Sequence, residues 1–170
     1  TWFSDKKPYE ALRINGEIAT DPRYALKVFL QDMTNPQEAY LSLDEGASFQ
    51  KVFDSEGEDF YSYDFARSNP DRVYISGTWC VWRSDDGGET FRECPARPFP
   101  ELGDGMHFTR LVLDPNDEDH LLVICHDRPG MVSESHDGGQ SWTPFNLGSL
   151  ANVRLHQIIL VGDEHGSCYA

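Results

Sequence analysis

The sequence has 170 residues, 39% of them hydrophobic, with 14 glycines and 10 prolines, which is typical of one globular domain with its own core. Its net charge of −15 disfavours binding to nucleic acid or to an anionic membrane surface, because both need clustered lysine and arginine. No apolar run approaches the ~18 residues of a membrane-spanning helix. The chain opens on Thr1 without a secretory leader, so we expect a mature or excised fragment without membrane insertion.

The predicted elements are short extended runs, rich in Val, Ile, Tyr, Phe and Trp and bounded by Gly, Pro and Asp. In chain order, the predicted strands are INGEIAT, YALKVFL, EAYLS, SFQKVF, FYSYDFA, RVYISG, WCVWRS, TFREC, FTRLVL, HLLVIC, MVSES and SWTPF. No segment shows a sustained helical period with caps. The sequence therefore predicts an all-β protein.

One eight-residue pattern, S-x-D-x-G-x-S/T-F/W, occurs three times and is called the first, second and third box below. An Asp-Pro or Asn-Pro pair precedes each box, and four strand-like runs accompany each copy. This repeat predicts four-stranded antiparallel blades of a β-propeller. The residues that define the boxes are Ser42, Asp44, Gly46 and Phe49, then Ser84, Asp86, Gly88 and Phe91, then Ser135, Asp137, Gly139 and Trp142.

The repeat also predicts the organisation of the chain as a partial propeller over residues 1–170. The predicted parts are the last strand of a preceding blade at 1–10, three blades at 11–54, 55–96 and 97–147, and the first half of a further blade at 148–170. A closed ring needs about 4–8 blades. We therefore expect the remaining blades to come from missing sequence or from another chain, since open sheet edges invite aggregation.

The box resembles the Asp box, or bacterial neuraminidase repeat, of sialidases, sortilin-type receptors, xyloglucanase-type glycoside hydrolases and photosystem assembly propellers. The run NPDRVYISGT at 69–78, followed by WRSDDGG at 82–88, is most similar to the sortilin and xyloglucanase groups. The resemblance implies a β-propeller in which each box folds the hairpin between the third and fourth strands of a blade. Enzymes and non-enzymes share the box, so it implies no single function.

A calcium loop is an alternative interpretation of the box, because the second box carries two neighbouring carboxylates. Calcium needs about six or seven oxygen ligands, and Leu43 and His136 stand where the second box has Asp85. We interpret the boxes as structural turns, in which the aspartate accepts backbone N–H groups and glycine takes a positive φ. The six histidines form no HxH or HExxH spacing, so the sequence predicts no metal centre and no cofactor.

Functional residues are expected on the propeller face opposite the boxes. This face carries the loops from each fourth strand to the next blade and from each second strand to the third. Candidate catalytic carboxylates there are Asp59 and Asp104, since a glycosidase needs two carboxyl groups across a cleft. Candidate binding residues there are Tyr61, Trp79, His107, Asp127, Arg128 and His156.

The cysteines predict one disulfide. If Ser84 lies opposite Thr90 in the hairpin, the same register places Cys80 opposite Cys94, within disulfide range, although a one-residue bulge would break this pairing. Such a bond would indicate the extracellular space or the lumen of the secretory pathway. Cys125 and Cys168 fall on second strands and are predicted to be buried thiols.

Two functions of different class remain open. The first is a secreted or lumenal binding propeller that recognises protein, peptide or glycan through its loop face. The second is a fragment of a glycoside hydrolase, xyloglucanase-like or sialidase-like, acting on polysaccharide or sialylated glycan. We favour the first because no catalytic pair can be assembled from these residues and no FRIP or YRIP motif of the sialidases occurs.

Overall fold

The computed structural model describes residues 19–20, 28–31, 35–102, 108–148, 161–162 and 168–169. These residues contain three four-stranded antiparallel sheets and one two-stranded pair. In the same ranges, no helix is long and apolar enough to cross a membrane. The predicted all-β class is confirmed.

Each four-stranded sheet is a meander of consecutive strands. The first sheet consists of β1 (Ala19–Thr20), β2 (Val28–Gln31), β3 (Glu38–Ser42) and β4 (Gln50–Asp54). The second sheet consists of β5 (Phe60–Phe65), β6 (Val73–Gly77), β7 (Val81–Ser84) and β8 (Arg92–Glu93). The third sheet consists of β9 (Phe108–Leu113), β10 (Leu121–Cys125), β11 (Met131–Ser135) and β12 (Thr143–Asn146). A 3-10 helix at Pro100–Leu102 precedes β9, and β13 (Val161–Gly162) pairs with β14 (Cys168–Tyr169).

The three sheets share one register. The box serine pairs with the first residue of the second strand in every sheet: Val28 with Ser42, Val73 with Ser84, and Leu121 with Ser135. Equivalent positions of the repeat therefore occupy equivalent places in each sheet. The blade boundaries stay predictions, and the strand proposed at 1–10 lies outside the described residues.

The first core lies between the first and second sheets. Phe53 of β4 makes edge-to-face contacts with Phe60, Trp82 and Phe91, at centroid distances of 5.7, 5.1 and 5.3 Å. Such aromatic contacts add about 0.5–1.5 kcal/mol each to the burial of the rings. The aromatic residue of the second box, Phe91, thus packs against the neighbouring sheet.

The second core lies between the second and third sheets. Tyr74 and Val81 of the second sheet pack there with Leu121 and Val123 of the third. Because successive strand residues point to opposite faces, Val73 joins the first core while Tyr74 joins the second. Central strands β6 and β10 are therefore buried at every position, which explains the continuous apolar sequence of β10, whereas β6 also buries Ser76.

The predicted Cys80–Cys94 disulfide is wrong. Both cysteines are free and buried. Trp82 pairs with Glu93, and the Cys94 N–H donates to the Val81 carbonyl at 2.8 Å, so the register is shifted by one residue from the symmetric hairpin. A one-residue shift turns a side chain to the other face of a sheet. Cys80 therefore packs in the first core and Cys94 in the second.

The remaining two cysteines were predicted to be buried thiols. Cys125 is free and buried, which confirms that prediction for this residue. The side chain of Cys168 lies outside the described part of the chain. Burial raises the pKa of Cys94 to about 11 and also raises the pKa of Cys80 and Cys125. These three thiols are protonated at neutral pH and are poor nucleophiles.

Candidate functional site

The aspartate of each box is bonded within its own turn. In the second box, Asp86 Oδ1 accepts from Ser84 Oγ at 2.7 Å, from the Thr90 N–H at 2.9 Å and from the Glu89 N–H at 3.0 Å. Its Oδ2 accepts from the Thr90 hydroxyl. Burial opposes ionisation, but the bonds from Thr90 and Ser84 outweigh it and lower the pKa of Asp86 to about 2. Both carboxylate oxygens are therefore occupied by donors from the turn.

The box serine is the buried centre of the same turn. Ser84 is 1% exposed, and its Oγ accepts from the Gly88 N–H at 2.9 Å and from the Asp86 N–H at 3.2 Å. Gly88 has φ of +90°, a backbone conformation that glycine adopts without strain. The turn thus requires a small hydroxyl at its first position and glycine at its fifth.

The other two boxes repeat this bonding. The Gly46 N–H donates to Ser42 Oγ at 2.8 Å, and the Gly139 N–H donates to Ser135 Oγ at 2.9 Å. Asp44 likewise accepts from the Ser48 N–H at 2.8 Å. These contacts support the interpretation of the boxes as structural turns. The position that would supply a second carboxylate to a cation is Leu43 in the first box, which is 53% exposed.

On the loop side of the first and second sheets, Tyr61 is the centre of a small acidic group. Tyr61 is 40% exposed, and its side chain is hydrogen-bonded to Thr78 of the β6–β7 loop. Burial raises the pKa of Tyr61, the bond with Thr78 opposes the rise, and the nearby charges of Asp59, Glu58 and Asp127 add to it. The structure therefore brings Asp59 and Asp127 within electrostatic range of Tyr61, although these three predicted residues come from two different loops and one strand.

Glu58 is a site residue that the sequence prediction missed. It is 8% exposed, its Oε1 accepts from the Trp79 N–H at 2.8 Å, and its Oε2 lies 3.2 Å from Cys80 Sγ. A Cβ at Gly77 would come within 2.5 Å of the Trp82 ring and 2.8 Å of Glu58 Oε1, so glycine leaves room for both side chains. The buried carboxylate holds the β6–β7 loop beside Tyr61. No signal in the sequence separates it from the other 28 acidic residues.

The other predicted site residues fall in two groups. Trp79 is half-buried and packs against the first core, while Asp127 and Arg128 are exposed in the β10–β11 loop. His126 Nδ1 lies 3.3 Å from Asp127 Oδ1. The remaining predicted site residues, Asp104, His107 and His156, lie outside the described residues, so a pairing of Asp59 with Asp104 stays a prediction.

The chemistry of this face suits a cation. An exposed aromatic ring attracts a cation through its quadrupole, and carboxylates beside it add Coulomb attraction. The net charge of −15 adds a long-range attraction for positively charged ligands. The group formed by Asp59, Tyr61, Thr78 and Asp127 is called the acidic loop face below.

The chain is similar in fold to solved propeller structures. It matches an ancestral GH74 enzyme with a TM-score of 0.68 and 17% identity, covering 92% of this chain and 21% of that one. It matches the GH74 enzyme of Niastella koreensis with a TM-score of 0.63 and 18% identity, covering 94% and 25% of the two chains. It matches YCF48 bound to D1 peptide with a TM-score of 0.57 and 16% identity, covering 79% and 40%.

These likenesses show the β-propeller fold alone, because the identities are low. The chain spans between about a fifth and two fifths of the length of these structures. No match to a curated protein sequence reaches significance.

A family model gives the more specific result. The model described as Sortilin, neurotensin receptor 3 (Sortilin-Vps10) matches residues 37–155, which is more than half of the chain. The matched range contains all three boxes and the whole of the second and third sheets. The sequence resemblance to the sortilin group is thereby confirmed. The chain belongs to the Sortilin-Vps10 family.

Proposed function

We propose that this chain is part of a binding propeller whose acidic loop face recognises a protein or peptide segment with a lysine or arginine side chain. The observation that carries the proposal is Tyr61, which is 40% exposed and lies within electrostatic range of the carboxylates of Asp59 and Asp127. Family membership supports it, since the resemblance is to a receptor group. The extracellular or lumenal location is part of the proposal and rests on the family alone. Cys80 and Cys94 are free, so no disulfide between them supports that location.

The acidic loop face has the features of a small recognition site. Tyr61 and Leu43 are the large hydrophobic side chains that are exposed in the described part of the chain, and Tyr61 is the one on the loop side. Tyrosine is enriched at interface hot spots because it offers a large rigid area with a polar end. Glu58 holds the adjacent loop from within, so the site is organised before a ligand binds.

The structural neighbours support a peptide ligand in one respect. YCF48, which shares the propeller fold, is named as bound to D1 peptide. The similarity to GH74 enzymes is one of fold only, so it does not favour glycoside hydrolase activity in this chain. Such activity is one of the results that the test below can detect.

The test measures binding of fluorescent decapeptides by anisotropy with the wild type, Tyr61→Ala and Leu43→Ala. One pool of peptides carries lysine and arginine, and a second pool carries glutamate instead. We expect the basic pool to bind and Tyr61→Ala to weaken binding by about 30-fold, the loss typical of a hot spot. Leu43→Ala is the matched control, because it removes an exposed apolar side chain on the box side.

The carboxylates provide a second readout. Asp59→Asn and Asp127→Asn are expected to slow association and to flatten its salt dependence, since exposed charges act mainly through steering. The proposal fails if the glutamate pool binds equally well or if Tyr61→Ala binds like Leu43→Ala. Hydrolysis of xyloglucan by the wild type that is lost in Asp59→Asn would establish the glycoside hydrolase instead.

A further inference from the structure

Two histidines and a glutamate meet at the box end of the third sheet. His120 Nε2 lies 2.8 Å from Glu134 Oε1, and His136 Nε2 lies 3.4 Å from the same oxygen. The three donor atoms all lie within 4.8 Å of one another. The two imidazole rings are stacked with centroids 4.3 Å apart. We name these three residues the histidine cluster.

The register of the sheet explains this meeting. Leu121 pairs with Ser135, so the residues just outside that pair, His120 and His136, face each other across the two strands. Glu134 precedes His136 by two positions and therefore lies on the same side of the strand. The cluster combines two strands, and this is why spacing motifs such as HxH did not reveal it.

A fourth residue orients His120. Asp114 is 4% exposed, and its Oδ2 lies 2.8 Å from His120 Nδ1. A buried carboxylate at this distance keeps the ring proton on Nδ1 and directs Nε2 toward Glu134 and His136. Carboxylate–histidine pairs of this kind are the usual outer support of a metal-ligating imidazole.

We propose that His120, Glu134 and His136 bind a divalent transition-metal ion, with zinc as the best chemical match. Imidazole nitrogen and carboxylate oxygen are common zinc ligands, with bonds of about 2.0–2.2 Å, and tetrahedral ligands then lie roughly 3.4 Å apart. The observed separations of 2.8 and 3.4 Å are close to that value, and the stacked imidazole rings must turn so that both Nε2 lone pairs point at one ion. Calcium and magnesium fit poorly, because they prefer an all-oxygen shell.

The cluster is accessible from solvent. The His136 side chain is 68% exposed and that of Glu134 is 32% exposed, whereas His120 is largely buried. Three protein ligands leave a fourth position for water or for another residue.

The repeat shows that these positions are used differently in the second sheet. The residues equivalent to His120, Glu134 and His136 there are Arg72, Arg83 and Asp85. Asp85 forms ion pairs with Arg72 at 2.7 Å and with Arg83 at 2.9 Å. Where the second sheet has arginines ion-paired with an aspartate, the third sheet thus has two histidines and a glutamate, which are common metal ligands and lie close to one another. A hydrogen-bonded His–Glu–His group without an ion is the competing explanation.

The test is calorimetric titration of the whole metal-free chain with Zn²⁺. We expect one ion per chain for the wild type and at least a tenfold loss of affinity for His136→Ala and for Glu134→Gln. Asp114→Asn, which removes the outer support, is expected to weaken binding by about 10–100-fold. The matched control is His126→Ala, which removes another exposed histidine beside a carboxylate but lies in the β10–β11 loop.

Two further measurements separate the site from adventitious binding. Zinc is expected to raise the thermal midpoint of the wild type and not that of His136→Ala, since a ligand stabilises the state that binds it. Cobalt(II) in its place is expected to give the intense visible absorption of tetrahedral coordination. The proposal is overturned if the wild type takes up no zinc, if His136→Ala binds as tightly as the wild type, or if His126→Ala loses as much affinity.

Discussion

Replacing Ser84 with alanine tests whether the box is a structural turn. The substitution removes the hydroxyl that accepts from the Gly88 N–H at 2.9 Å and donates to Asp86 at 2.7 Å. Ser84 is 1% exposed, so water cannot take over these bonds. The backbone N–H of Gly88 is left buried without a partner.

The expected loss follows from these contacts. An orphaned buried donor costs about 1–3 kcal/mol. The lost bond to Asp86 adds about 0.5–1 kcal/mol, a low value because that carboxylate faces solvent. The free energy of unfolding is therefore expected to fall by about 1.5–4 kcal/mol, which corresponds to about 3–16 °C in the thermal midpoint of a domain of this size.

The assay is urea unfolding followed by circular dichroism, together with scanning calorimetry. Ser42→Ala and Ser135→Ala serve as internal replicates, because both serines are buried and accept the same glycine N–H bond. Thr143→Ala is the control, since it removes an exposed hydroxyl from β12. Calcium is expected to leave the midpoint of the wild type unchanged, because both oxygens of Asp86 are occupied.

Two results would refute this reasoning. Unfolding of Ser84→Ala at the wild-type midpoint would show that the hydroxyl does not stabilise the turn. A rise of the wild-type midpoint with calcium that Ser84→Ala and Asp86→Asn abolish would show that the box is a metal loop.

Two further predictions concern the same hairpins. Gly139→Ala places a Cβ 2.8 Å from Cys94 Sγ at φ of +83°, so we expect the free energy of unfolding to fall by about 2–5 kcal/mol from backbone strain and overpacking. Gly148→Ala is the control, because Gly148 has φ of +53° and nothing within 4 Å, and it should lose only the part due to backbone strain in the same urea experiment. Equal losses in the two variants would contradict the packing argument. The lowered pKa of Asp86, about 2 against an ordinary 3.8, means that its stabilisation is fully present above about pH 4 and is lost as the pH falls through about 2. The difference in thermal midpoint between the wild type and Asp86→Asn should therefore shrink between pH 5 and pH 2, and a constant difference would contradict the assignment.

The sequence by itself predicted much of this protein, because the relevant signals are local. Alternating apolar residues, Asn-Pro and Asp-Pro pairs and the repeated box lie within a few residues of the structure they form, and all twelve predicted strand runs contain or overlap a strand. The serine, aspartate and glycine of a box contact one another inside a single turn of eight residues. Such contacts depend little on the rest of the chain.

The contacts that the sequence did not predict depend on the register of strands and on the packing of one sheet against the next. A shift of one residue in the second hairpin placed Cys80 and Cys94 in different cores. Tertiary structure also selected Glu58 from a run of acidic residues, by burying it beneath the β6–β7 loop.

The acidic loop face and the histidine cluster share this origin. Asp59 and Asp127 are 68 positions apart, and His120 and His136 are brought together by pairing of β10 with β11. Sequence determined that the chain would form repeated four-stranded blades with box hairpins, since each hairpin is stabilised within itself. Only the tertiary structure decided which polar side chains share a surface. That depends on how the twisted sheets pack and on the pairing register of the strands, because a shift of one residue turns each side chain to the other face of its sheet.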